Sequence, residues 1–183
     1  MENTNRPIWS YCWFEEREMF VSTHETSLDS KGRVSVPASF RHALGGGQRV
    51  FLWPASDGSP CLEGGGEALM KFYQQTLARM SPNDPARRAF MHAIFTRSAD
   101  LKMDDNGRVS IPKSLLEAAG IERELVFAGA LDRFHVWSPE RFAAFDSTMS
   151  AQLHSSQGAL EAPFQAALAA GALAGLATPE GDK

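Results

Sequence analysis

The sequence predicts a mixed α+β chain, mainly β, in which one unit of β-hairpin, short helix and β-strand is used twice and folds into a compact two-lobed barrel with peripheral helices. Three observations carry that prediction. The stretches "LDSKGRVSVP" (28–37) and "MDDNGRVSIP" (103–112) share one grammar of aspartate, turn glycine, arginine, β-branched run and proline. Sliding the chain against itself by 75 residues aligns 20–63 with 95–138 without a gap, and twelve pairs are identical, among them Phe20/Phe95, Asp29/Asp104, Gly32/Gly107, Arg33/Arg108, Pro37/Pro112 and Gly45/Gly120. Two copies are too few for a solenoid, so this is an internal duplication of one supersecondary unit. Finally, a few short strands and a helix of two turns bury too little surface alone, so the copies must pack on each other.

Each element can be justified in chain order. "VSTHETSL" and "TRSADLKM" carry enough β-branched and alternating residues for a strand, and Lys31-Gly32 and Asn106-Gly107 supply the positive φ of a tight hairpin turn. "RVSV" and "RVSI" are then the returning strands. Pro37 and Pro112 suit the first position of a helix, so "PASFRHALG" and "PKSLLEAAG" read as short helices closed by Gly45 and Gly120. "QRVFLWP" and "ELVFAGA" read as third strands, and "RFHVW" as a fourth in the second copy; "SDGSP" (56–60) weakens the fourth strand of the first. "GGEALMKFYQQTLARMS" has apolar residues at helical spacing, a second helix begins at Pro85 with Asp84 as its cap, and Ser138-Pro139 starts a third, "SPERFAAFDSTMSAQL". The expected layout is an N-terminal extension (1–18), a first repeat with its linking helix (19–80), a second repeat with helices (81–150), and an Ala/Gly-rich tail (151–183) that is disordered with transient helix.

Composition narrows the function classes. A hydrophobic fraction of 43% is that of a globular protein. Cys12 and Cys61 lie far apart with no CxxC, and His24, His42, His92, His135 and His154 show no ligand spacing, so neither a disulfide framework nor a metal site is expected. Glu15, Glu16 and Glu18 stand where a signal peptide needs an apolar run, and no stretch reaches the ~18 apolar residues of a membrane span, so a cytoplasmic location is expected. The net charge of −4 speaks superficially against nucleic acid. The distribution matters more: residues 87–113 hold six basic side chains against three acidic ones, and the excess of acid lies at the two ends of the chain.

The repeated turn carries the chemistry. Asp29 lies four residues before Arg33, and Asp104 four before Arg108, so each carboxylate can hold a guanidinium in a fixed direction. A planar, permanently charged fork held that way suits phosphate or the O6/N7 edge of guanine in a major groove, and a two-stranded ribbon is slim enough to enter that groove. Lys31, Lys102 and Lys113 could add contacts to the DNA backbone. An exposed ion pair is worth only ~0.2–1 kcal/mol, so stability alone does not require the same pair at both turns. Enzyme readings fail on their partners: Ser110-Ile-Pro-Lys113 matches an SxxK motif but no SDN or KTG follows, and "DDNG" fails as a calcium loop because Lys102 stands where the first aspartate is needed. No enzyme activity and no cofactor are expected.

With two copies of a D-x-x-G-R-β-x-β-P pattern about 75 residues apart, "MF" at Met19-Phe20, "FR" at Phe40-Arg41, and Gly129 with "FHVW" at 134–137, the chain resembles the MraZ family of bacterial transcription regulators, over roughly residues 19–145. The halves of that family resemble the AbrB-type swapped-hairpin DNA-binding domain. The resemblance implies a double-split β-barrel of two AbrB-like repeats that assembles into a homo-oligomeric ring, associates with the nucleoid, and binds direct repeats of double-stranded DNA in the promoter of the division and cell-wall gene cluster. Carried over by position, Arg33 and Arg108 are the leading DNA contacts and Asp29 and Asp104 their orienting partners. Identical subunits in a ring point the same way, which matches direct repeats where a two-fold dimer would match a palindrome. Members of the family commonly begin near "MF", so residues 1–18 read as an extension in which Trp9, Trp13 and Phe14 could cover an exposed surface. The competing reading is an AbrB-like module that grips a protein partner, as an antitoxin or assembly adaptor does.

Overall fold

The repeated unit forms its expected elements, but the two strands that flank its turn do not pair with each other. The computed structural model describes residues 19–169. The first copy provides β1 (Thr23–Ser27), β2 (Arg33–Ser35), α1 (Ala38–Ala43), β3 (Arg49–Pro54) and β4 (Leu62–Gly65). Helices α2 (Glu67–Ala78) and α3 (Pro85–Met91) follow, with a π-helical turn at His92–Thr96. The second copy provides β5 (Ala99–Lys102), β6 (Arg108–Ser110), α4 (Lys113–Ala119), β7 (Glu124–Ala130) and β8 (Arg133–Trp137), before α5 (Pro139–Ser155) and α6 (Gln157–Ala169). The Asp84 side chain caps α3 by accepting from the Ala86 amide at 2.8 Å, as the Pro/Asn/Asp turn predicts.

The strands form a six-stranded sheet in the order β1-β7-β8-β4-β3-β5 and a separate two-stranded ribbon of β2 with β6, with no closed barrel among the described residues. The expected hairpins are therefore replaced by an exchange between copies. Each turn still closes locally: the Asp29 amide donates to the Arg33 carbonyl at 2.7 Å, and the Asp104 amide to the Arg108 carbonyl at 2.9 Å. Beyond the turn the strands part. The first strand of each copy pairs with the third strand of the other, with Thr23 opposite Ala128 and Arg49 opposite Lys102. The reason lies in apolar content. The three-residue strands each have one inward side chain, Val34 or Val109, and β1 offers only His24 and Thr26 on its half-buried face. Pairing β2 with β6 sets Val34 opposite Val109, and both are fully buried in the common core.

Three smaller expectations are corrected. Pro37 and Pro112 sit at the N-cap rather than the first helical position, because their extended ψ of 143° and 139° carries the strand up to the helix start. The fourth strand of the first copy is present as β4, completing a sheet in which β4 pairs with β8 and joins the two copies. It escapes the gapless alignment because the β3–β4 connection spans 55–61 while the β7–β8 connection spans only 131–132. Its glycines are required by packing: a Cβ on Gly64 would lie 2.5 Å from both Leu52 Cδ2 and Phe134 Cζ. The tail expected to be disordered is helical in its described part, through Ser155 in α5 and over Gln157–Ala169 in α6, where alanine-rich sequence favours helix despite Pro163.

The described residues divide into two units, one ending at Phe142 and the other beginning at Ala143. Both copies share the core of the first unit. Phe40 and Phe134 are fully buried, with ring centroids 5.4 Å apart, and Phe20 and Phe127 complete an aromatic cluster drawn from both copies. Gly129 lets the entering chain cross β7, since a Cβ there would lie 2.4 Å from the Phe20 carbonyl oxygen. A smaller core of Trp53, Leu69, Tyr73 and Ile94 seats α2 and the π-helical turn on β3. Buried Glu63 is satisfied by the Trp53 indole N–H at 2.9 Å, Ser56, and Arg133 at 3.4 Å. The expected extension at residues 1–18, with Trp9, Trp13 and Phe14, and the end of the tail at 170–183 lie outside the described residues.

Candidate nucleic-acid interface

In each copy the aspartate is locked by its own turn. Asp29 Oδ1 accepts the Lys31 and Arg33 amides at 2.8 and 2.9 Å, and Asp104 Oδ1 accepts the Asn106 and Arg108 amides, both at 2.9 Å. Such a turn needs a residue at positive φ, and Gly32 (φ 71°) and Gly107 (φ 73°) provide it. The second carboxylate oxygen then holds the arginine. Arg33 Nε and Nη2 donate to Asp29 Oδ2 at 2.9 and 2.8 Å, and Arg108 Nε donates to Asp104 Oδ2 at 3.0 Å.

The strand exchange brings the two devices together. Along β2 and β6 the valines point inward, so Arg33, Ser35, Arg108 and Ser110 share the outer face, with Arg33 opposite Ser110 and Arg108 opposite Ser35. The two arginines lie on a diagonal of the ribbon, about 7–8 Å apart by the geometry of an antiparallel pair. Arg33 Nη1 also lies 3.6 Å from Asp104 Oδ2, so the carboxylate of one copy faces the arginines of both. Both arginine side chains are about one-third exposed, at 28% and 33%. They are neither sunk in the core nor free to sweep through solvent. Among the described residues, the two terminal nitrogens of Arg108 make no hydrogen bond, which leaves a donor edge for an incoming acceptor.

The electrostatics follow from these contacts. The Arg33 amide, then its guanidinium, hold the Asp29 carboxyl well below the usual range, at about 2. The Arg108 amide and side chain lower Asp104 in the same way. Because the folded value is depressed, the Asp29 contribution to the turn is complete above the ordinary carboxylate pKa near ~4. It is lost as pH falls from there through about 2. An NMR titration of the side-chain carboxyls is expected to place the Asp29 midpoint near 2. A midpoint at the ordinary value would contradict the locked turn.

The other expected contacts are spread more widely. Lys31 is exposed in the first turn, and Lys102 is exposed at the end of β5, leading into the second. Lys113 opens α4 and pairs with Glu117 at 3.5 Å. It is not drawn to the ribbon by any described contact. In the sequence Arg41 stands only as half of the "FR" pair, yet its guanidinium lies over the second turn: a Cβ on Gly107 would sit 2.3 Å from Arg41 Nη1. The signal was obscured because the contact runs from the helix of one copy to the turn of the other. The described residues hold no group of three or more His, Cys, Asp or Glu that could bind a metal. Burial pushes the Cys61 thiol up to about 12, which makes it an inert core side chain. No described helix is long and apolar enough to cross a membrane.

A family model described as "MraZ protein, putative antitoxin-like" matches residues 19–92 and 94–162. A protein of Hyphomonas neptunium named transcriptional regulator MraZ is 51% identical over 131 residues, covering 72% of this chain and 79% of that protein. Its namesake in Caulobacter vibrioides is 36% identical over 157 residues, covering 85% of this chain and all of that protein. A third, from Parvibaculum lavamentivorans, is 39% identical over 129 residues, covering 69% and 80%. The matched stretches take in both copies, both locked turns and the strands exchanged between them, and on that span and those identities the chain belongs to the MraZ family.

Proposed function

We propose that the chain is a DNA-binding transcription regulator that grips duplex DNA with the outer face of the β2–β6 ribbon. The observation that carries this reading is the pair of guanidinium groups, one from each copy, held outward by carboxylates that the turns themselves keep ionised. A bare ion pair would need neither the repetition nor the restraint. A ribbon of two strands fits the width of a major groove, and an oriented guanidinium can donate to phosphate or to a guanine edge. The names of the relatives as transcriptional regulators support the same reading.

In this proposal residues 19–80 and 81–150 are the two working repeats of a double-split β-barrel, a reading that the strands exchanged between the copies support. Arg33 and Arg108 make the leading contacts, Asp29 and Asp104 orient them, and Lys31, Lys102 and Lys113 contribute to the surrounding field. Subunits joined head to tail in a ring present equivalent ribbons in one direction, which suits direct repeats in the promoter of the division and cell-wall gene cluster. The site of action is then the cytoplasm, at the nucleoid. The description "antitoxin-like" favours a second reading, a module that grips a protein partner.

A titration of the chain's own upstream promoter DNA at several salt concentrations separates the two. If the ribbon contacts phosphates, log affinity falls linearly with log salt, by about 0.9 for each phosphate neutralised on duplex DNA. Flat or absent binding would leave the protein-partner reading.

A further inference from the structure

The two turns are not equal in charge. The first, Asp29-Ser30-Lys31-Gly32-Arg33, has two cations for one carboxylate; the second, Asp104-Asp105-Asn106-Gly107-Arg108, has one cation for two. On its own sequence the second turn is a poor place for a phosphate. The structure repairs the difference with a residue from the other copy. Arg41 leaves α1 and lies across Gly107, with Cδ 2.7 Å and Nη1 2.3 Å from where a Cβ would stand. At the equivalent place in the first turn, a Cβ on Gly32 would meet nothing within 4 Å. The counterpart of Arg41 in the second copy is the apolar Leu116, so no matching arm is available to reach back.

The path of the chain explains the reach. The Val36 amide donates to the Gly107 carbonyl at 2.9 Å, so β2 ends beside the second turn and α1 starts there. The Arg41 stem is packed in at that point. Its Nε is buried and has no hydrogen-bond partner among the described residues. With the stem held there, the terminal Nη1 of the guanidinium stays at the second turn.

Resting on the DNA-binding reading above, we infer that Arg41 is a third anchoring arginine. It completes with Arg108 a phosphate clamp at the second turn, in the place that Lys31 takes beside Arg33 at the first. The clamp recognises the backbone of duplex nucleic acid and not a base, because Arg41 comes from α1 and not from either strand of the ribbon. Each end of the ribbon then presents two cations despite the unequal turn sequences. The asymmetry sits in which copy supplies them.

The test compares Arg41→Ala, Arg41→Met and Arg41→Lys with the unaltered chain on the promoter duplex and on an unrelated duplex, across a range of salt. Arg41→Met keeps the stem over Gly107 and removes the charge; Arg41→Lys keeps the charge. Losing one phosphate contact reduces the slope of log affinity against log salt by about 0.9. Arg41→Ala and Arg41→Met are expected to show that loss, weakening both duplexes by the same factor, while Arg41→Lys retains the slope. An unchanged slope for Arg41→Met, with the unaltered chain binding normally, overturns the assignment alone and leaves Arg41 as packing. Weakening confined to the promoter duplex also overturns it, because that would make Arg41 a base contact. An unaltered chain that binds neither duplex overturns the functional reading and this assignment together.

Discussion

Replacing Arg33 and Arg108 together with alanine is expected to abolish recognition of promoter DNA while leaving the fold intact. A guanidinium contact to a phosphate or to a base edge is worth about 1–3 kcal/mol, so either single change should weaken binding by roughly 5- to 150-fold, and the pair by more than either. The stability cost should be small. Both side chains are partly exposed, their ion pairs lie at the surface, and such pairs contribute about 0–1 kcal/mol. The two losses need not add, since Asp104 faces both arginines and a change at one alters the partner of the other. Gel-shift affinity together with a thermal melt checks the expectation. Unchanged affinity in either single variant would return that turn to a structural role.

Phe134→Ala is expected to produce the largest loss of stability, about 3–5 kcal/mol by the cost of emptying a buried aromatic site. Phe134 is fully buried, and its ring centroid lies 5.2 Å from Phe20, 5.4 Å from Phe40 and 5.7 Å from Phe127. It also sits opposite Gly64 on β4, the strand of the other copy, so the cavity would open where the two halves of the six-stranded sheet are joined. For a domain of ordinary stability, about 5–15 kcal/mol, this is a large fraction of the total. Urea denaturation should show the midpoint falling by a corresponding amount. A loss under about 1 kcal/mol would mean that the junction between copies is not held by this cluster.

The order of elements was legible because punctuation is local. Asp29, Gly32 and Pro37 mark a turn, a strand and a helix start by their own backbone preferences, and repetition at Asp104, Gly107 and Pro112 multiplies the signal. Pairing was not legible in the same way. Whether β2 meets β1 or β6 depends on which neighbour offers an apolar face, and three residues with one valine carry too little pattern to choose. β4 was hidden for two reasons: its connection to β3 is longer than its counterpart, and Gly64 and Gly65 look like loop until Phe134 and Leu69 are seen lying against them. Glu63 likewise reads as a surface residue, and only the Trp53 indole and Arg133 explain its burial.

The candidate interface was half legible. The spacing of Asp29 to Arg33 and Asp104 to Arg108 announces a carboxylate holding a guanidinium, and the hydrogen bonds have that form. What spacing within one copy could not announce is contact between copies. The approach of Arg33 to Asp104 and the placement of Arg41 over Gly107 both arise from the strand exchange. The ribbon that presents the arginines is therefore a product of the duplication, and neither copy could build it alone.

Hydrogen–deuterium exchange of the full chain, with and without promoter duplex, tests most directly whether both copies jointly build the DNA-binding ribbon. DNA held by the shared ribbon should slow exchange in segments 28–36 and 103–111 together, with α2 unchanged. Protection of only one of those segments, or of surfaces away from both while they exchange as before, would contradict it.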